Sequence, residues 1–376
     1  MAQIDSYLEE VLKRRGSDLH FIAGDPARIR MHGDLTALQE TALSADSVKA
    51  TLYEIMPRKA VERFESKDGA DFAYNLADKG RFRVNVMRQL NGMGAVFRAI
   101  PSQALTLDQL DIPLPVRQLC RANNGLILVT GKTGSGKSTT LAAMIDDINK
   151  RERGHILTVE DPIEFVHTRR NCLVSQREIG VHAPSFAAAL HSALREDPDV
   201  ILVGELRDLE TMSIAVTAAE MGILVMGTLH TNGAAQTVDR MVNQFPADKQ
   251  PHVRTMLSTS LRGVVSQQLL KRADGSGRVA ALEILINTPA TANLIRQGKL
   301  DQLESAMQSG GQFGMRTMDS AIQLLLDAGT ISGEEAYRKA INKTKFEPVR
   351  QHGEPTLRLH AAAPPPALPA ATQAHG

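Results

Sequence analysis

The sequence predicts an α/β protein: a small N-terminal α/β domain, then a larger doubly wound domain with a parallel sheet and a mostly helical C-terminal part. Three observations carry this. From residue 116 onward, apolar strands alternate with helical stretches, the pattern of a parallel sheet covered by helices on both faces. Residues 1–100 instead hold short strands, some of alternating polarity, around one broken helical segment. At 376 residues the chain has room for about two domains, each with its own core.

In the N-terminal domain, an amphipathic helix is expected over 6–15, carrying Leu8, Val11 and Leu12. Strands follow at 19–22, 28–31, 72–74, 81–86 and 95–100. The alternation Arg81/Phe82/Arg83/Val84 puts arginines on one strand face and apolar groups on the other. A helix is read over 44–64, broken near Pro57. Residues 101–115 contain three prolines and little periodicity, and read as a linker. The second domain, 116–345, has strands at 126–130, 155–159, 199–203 and 223–228, with helices at 185–194 and 209–221. Residues 234–345 read as mostly helical with one short hairpin near 274–277. The Ala/Pro-rich tail, 346–376, lacks a core-forming pattern and is expected to be disordered.

Composition narrows the function. Hydrophobic residues make up 43% and charged residues 23%, as in a soluble globular protein. A formal net charge of +1 argues against a dedicated nucleic-acid binder, which shows a basic domain or stripe. Cys120 and Cys172 form no CxxC pair, so they suggest reduced thiols rather than a disulfide framework or zinc site. The N-terminus is polar, and no apolar run approaches the roughly 20 residues of a membrane span. A cytoplasmic protein, at most peripheral to a membrane, is expected.

One stretch carries explicit chemistry. Strand residues Leu126–Val129 run into Gly131-x-x-x-x-Gly136-Lys137-Ser138, with a helix-like segment beyond: a P-loop in its required context. Gly131, Gly134 and Gly136 allow positive φ and close approach of backbone to an anion. Successive N–H groups from Thr133, Gly134, Ser135, Gly136 and onward to Thr139 form a nest for phosphate oxygens. The helix beginning near Lys137 adds partial positive charge. Lys137 is expected on the β/γ-phosphates and Ser138 on Mg2+, so ATP and Mg2+ are the predicted ligands.

Ligands of such sheets sit at the C-terminal strand ends, where three further segments present polar groups. Glu160 ends one strand, before Asp161, Pro162 and Glu164. A carboxylate there can orient or deprotonate an attacking water, while Asp161 suits a helix cap. Asp199-Val-Ile-Leu-Val-Gly204-Glu205 resembles a Walker B strand with Gly204 in place of the usual Asp. Glu205 is therefore expected to serve the Mg2+ shell. His230 ends a third strand between Thr228 and Thr231; it suits γ-phosphate sensing, fixing the catalytic carboxylate, or a structural role. Arginine can stabilise the transferring phosphate, and Arg81, Arg83, Arg98, Arg195 and Arg207 are candidates, with Arg83 and Arg98 preferred because they lie on neighbouring strands.

Together these segments resemble the secretion ATPase (GspE) superfamily, and most closely its PilT branch, the type IV pilus retraction ATPases. The motifs, in order, begin with Ser17-Asp-Leu-His20, Gly80-Arg-Phe-Arg-Val-Asn85 and the P-loop. Thr158-Val-Glu-Asp-Pro-Ile-Glu-Phe165, the strand ending Gly204-Glu205, and Gly227-Thr-Leu-His230 follow. The resemblance implies a PAS-like N-terminal domain on a RecA-like ATPase domain, with the catalytic glutamate at Glu160, the Walker B glutamate at Glu205, the His box at His230, and N-domain arginines at Arg83 and Arg98. It further implies a homohexamer at the cytoplasmic face of the inner membrane, driving a PilC-like platform protein in pilus retraction and twitching motility, with a paralogous pilus ATPase as a possible partner. Two departures stand out. Ile223 replaces the usual His at the start of the His box, and Ala290-Thr-Ala-Asn-Leu-Ile-Arg-Gln297 retains only part of the retraction signature. A PilU-like accessory ATPase is the near alternative. A PilB/GspE-type assembly ATPase would commonly carry a four-cysteine zinc element, and a low-turnover regulatory subunit sits poorly with intact Lys137, Glu160 and Glu205.

Overall fold

Two separate β-sheets organise the chain. They are seen in a computed structural model that describes residues 2–31, 34–67, 69–77, 79–100 and 104–350. The first contains β1 (Asp18–Ile22), β2 (Arg28–Met31), β3 (Asp34–Ala37), β4 (Gly69–Leu76), β5 (Gly80–Gln89) and β6 (Gly92–Ile100), in the order β3-β2-β1-β6-β5-β4. Its neighbours pair antiparallel, so one face can be polar and the other buried. In β5, Phe82, Val84 and Val86 are fully buried while Arg83 and Asn85 are exposed. Helices Asp5–Lys13, Ala45–Ile55 and Arg58–Lys67 accompany this sheet, and Leu8, Val11, Leu52 and Phe64 join its core. The segment read as one broken helix is two helices, because Pro57 falls between them. β3 is missing from the sequence reading: all four of its residues are exposed, so no alternation marks it.

The second sheet contains β7 (Gly125–Thr130), β8 (His155–Glu160), β9 (Leu173–Glu178), β10 (Val200–Val203), β11 (Leu224–Leu229), β12 (Leu261–Lys271) and β13 (Arg278–Ile286), in the order β13-β12-β7-β11-β10-β8-β9. From β12 to β9 every pairing is parallel. β7, β10 and β11 are buried at every position, which is why they read as unbroken apolar runs. The parallel order brings the C-terminal ends of β7, β8, β10 and β11 to one edge. Each leads directly into a chemistry-bearing segment.

Three differences from the sequence reading have physical causes. β9 was not anticipated, since Leu-Val-Ser-Gln-Arg-Glu is mostly polar and sits at the edge of the sheet. The hairpin expected near 274–277 has arms of 11 and 9 residues, β12 and β13, which extend the central sheet. Five consecutive residues of β12, Gly263–Gln267, are buried, which erases the period-2 signal. The last described helix, Lys343–Arg350, includes five residues assigned to the tail, and Phe346 is fully buried. The tail from 351 and linker residues 101–103 lie outside the described residues.

The chain divides into two compact units: residues up to 268 with 282–317, and residues 269–281 with 318 onward. The second has its own core of Leu270, Ala281, Met318, Ile322, Ile331 and Phe346. Among the described residues no helix is long and apolar enough to cross a membrane. In the first unit, Ile201 of β10 is fully buried in a cluster with Leu157, Val203 and Val225. Replacing Ile201 by Ala should lower unfolding stability by about 2–5 kcal/mol, read as a lower urea midpoint. An unchanged midpoint would contradict this packing.

Candidate active site

The loop after β7 has the conformation its glycines permit. Gly131, Gly134 and Gly136 have φ of 141°, 77° and 89°. At Gly131 space is also decisive: a Cβ would run into the Gln267 carbonyl oxygen and lie 2.6 Å from Ser135 Oγ. Gly136 caps the helix Lys137–Arg151. The buried Lys137 ammonium donates to the carbonyls of Gly131 (2.8 Å) and Lys132 (3.2 Å). Burial pushes its pKa below the usual lysine value, with the nearby Glu205 charge opposing the shift. Ser135 Oγ is buried with no hydrogen-bond partner among the described residues. A buried cation satisfied by carbonyls alone, an orphaned hydroxyl, and a glycine loop over a helix N-terminus fit an anionic polyphosphate.

Gln267 of β12 fastens this loop. Its Nε2 donates to the Ser135 carbonyl (2.7 Å) and its Oε1 accepts from Thr140 Oγ1 (2.7 Å). Sequence reading did not single it out. The available signal was Ser266-Gln267-Gln268 interrupting an apolar strand, since a buried amide needs partners.

Glu160, the last residue of β8, is buried. Its Oε1 accepts from Thr158 Oγ1 (2.7 Å) and Gln176 Nε2 (3.3 Å), and its Oε2 from the Glu164 N–H (3.3 Å). Burial raises its pKa above the ordinary carboxylate value; those three donors oppose the shift. Such a carboxylate has stronger affinity for a proton than an exposed one, the property a general base needs. Asp161 is exposed and Glu164 reaches Glu160 only through its backbone.

Beside it, Gly204 extends β10. Its N–H donates to the Val159 carbonyl at 2.7 Å, and a Cβ on it would lie 3.2 Å from Glu160 Cα and 3.3 Å from the Val159 oxygen. A larger residue would press on the backbone that carries Glu160. Glu205 follows, with Oε1 3.4 Å from His230 Nε2 and 3.7 Å from Arg207 Nε. Thr228 Oγ1 donates to the Gly204 carbonyl, so the ends of β10 and β11 are tied together.

The arginines divide. Arg83 and Arg98 face each other across β5 and β6. Arg83 is exposed, and Arg98 donates to Asp18 Oδ1 at 2.8 Å. Neither is bonded to the glycine loop among the described residues. Arg81 donates to the buried Glu178 of β9 at 2.8 Å. Arg195 is exposed. Cys120 and Cys172 are free and buried, and burial pushes the Cys120 thiol up to about 12.

Residues 1–343 match the model of the type II/IV secretion system protein family. The chain is 52% identical over 328 residues, 87% of it and 95% of the relative, to the type IV pilus retractation ATPase PilT of Pseudomonas aeruginosa. It is 51% identical over 314 residues, 84% of each, to the twitching motility protein of Neisseria gonorrhoeae. Among solved structures it resembles that of the pilus retraction motor PilT with bound ADP, with a TM-score of 0.86 and 42% identity, covering 93% of this chain and all of that one.

The packing at Gly204 yields a direct test. Gly204→Ala should lower kcat for nucleoside triphosphate hydrolysis while leaving nucleotide affinity within about threefold, because Glu160 shifts and the glycine loop does not. Steady-state kinetics with a fluorescent-nucleotide titration decides; full activity would show that the close approach is unimportant.

Proposed function

The chain belongs to the type II/IV secretion system protein family, and on that premise we propose that it is an ATP-hydrolysing motor powering type IV pilus retraction. The observation that carries this is the convergence, on one sheet edge, of a phosphate-binding loop with a buried carboxylate of raised proton affinity. Residues 133–139 would cradle the phosphates. Lys137 would exchange its carbonyl partners for phosphate oxygens, and Ser138 with Glu205 would hold Mg2+, which neutralises developing charge when bound. Glu160 would orient and deprotonate the attacking water, with His230 steadying Glu205 across 3.4 Å.

The exposed Arg83 and Arg98 support a site completed by movement. They are charged groups on a separate sheet, unbonded to the loop, and suited to stabilise the γ-phosphate when that sheet closes. A homohexameric ring would supply such closure and convert it into work on an inner-membrane, PilC-like platform protein. Such a motor would work at the cytoplasmic face of the inner membrane, at the pilus base. The segment that departs from the retraction signature lies in the helix Pro289–Gln297, with Asn293, Arg296 and Gln297 exposed. It keeps an accessory role beside a paralogous pilus ATPase as the second reading.

Deleting the gene tests the proposal. Retraction predicts abundant surface pili with no twitching, restored by the wild-type chain and not by Lys137→Ala. Bald cells would mean assembly, and unimpaired twitching would remove the motor role.

A further inference from the structure

The edge strand β9 is the part of the second sheet that sequence reading missed, and it touches the turn after Glu160 at several points. Its register sets Gln176 opposite Thr158 and Glu178 opposite Glu160. Gln176 and Glu178 are two residues apart, so both project to the same face.

Gln176 spends its whole amide on this turn. Nε2 donates to Glu160 Oε1 (3.3 Å) and to the Phe165 carbonyl (2.8 Å), and Oε1 accepts from the His167 N–H (2.8 Å). The orientation of the amide is fixed by chemistry, since the His167 donor must meet the oxygen. One side chain thus holds the carboxylate and the far end of the turn in fixed relation. Glu178 grips the middle: its Oε2 accepts from the Ile163 N–H (3.2 Å) and from Arg81 Nη2 (2.8 Å). The Glu178 side chain is 5% exposed, so those donors stand in for the water it has lost. Arg81 belongs to β5 of the first sheet. It bonds through a single N–H, and its Nε has no partner among the described residues, so the contact lacks the bidentate form that makes such pairs strongest.

We propose that Gln176 is a positioning residue for Glu160, and that Arg81, acting through Glu178, ties the same turn to the N-terminal sheet. Movement of that sheet would then reach the hydrolytic carboxylate through two side chains of β9. This rests on the reading of Glu160 as the carboxylate that acts on water. It assigns Arg81 a different task from the phosphate contact expected from sequence.

The test is a pair of mutant cycles on the full chain, with ATP turnover, KM and fluorescent-nucleotide affinity measured for each protein. Gln176→Leu should lower kcat by about 10–100-fold, the cost of misplacing a reacting group by about 1 Å, with KM within about twofold. In a Glu160→Gln background the same substitution should add nothing. An equal slowing in both backgrounds, or none in the wild-type background, overturns the positioning role. Gln176→Met, similar in volume and lacking both donors, replaces Leu if that variant misfolds. Arg81→Leu and Glu178→Gln should each lower kcat, with the double variant no slower than the worse single one; multiplicative effects overturn the coupling. If Glu160→Gln itself turns over at the wild-type rate, the underlying reading of Glu160 fails, which is a separate result from failure of the Gln176 cycle.

Discussion

The candidate site depends on how closely β10 can approach β8. Gly204 donates its N–H to Val159 and leaves little room for a side chain against the Glu160 backbone. That approach sets Glu160 at the end of β8 with Glu205 at the end of β10, and Thr228 of β11 ties in the strand leading to His230. The glycine that makes the Walker B segment look incomplete lets the neighbouring strand approach this closely. An aspartate there would need the Glu160 backbone to give way by a few tenths of an ångström, moving the very carboxylate the site is built around.

Around that junction two glutamines do the holding, Gln267 buried and Gln176 half-buried. Gln267 pins the glycine loop from β12, and Gln176 pins the turn after Glu160 from β9. Each uses donor and acceptor together, which satisfies the amide and fixes its partners. The charged groups of the site, Lys137 and Glu160, are both desolvated, and their proton affinities move in opposite directions. Burial weakens the proton affinity of Lys137 and strengthens that of Glu160. Both shifts disfavour the charged forms, and a polyphosphate beside Lys137 would favour its cation again.

Much of this was legible from residues alone. The P-loop, Glu160, Glu205 and His230 stand at ends of apolar strands, and unbroken burial of β7, β10 and β11 makes such strands easy to read. What escaped was the support. β9 is polar and at the edge, and β12 is buried without periodicity, so neither announces itself, and the glutamines they carry went unassigned. Arginine roles were the least readable, because an alternating strand gives the face of a side chain and not its partner. Arg81 engages Glu178, Arg98 engages Asp18, and Arg83 is exposed.

The central claim is that Glu160 drives hydrolysis in a site that binds ATP without it. The direct measurement is the fate of bound nucleotide. Purified Glu160→Gln is mixed with ATP and Mg2+, quenched at intervals and resolved by chromatography. Binding as tight as wild type, with ATP recovered intact and hydrolysis slowed by about 10²–10⁴-fold, is the predicted result. ADP appearing at the wild-type rate would contradict it.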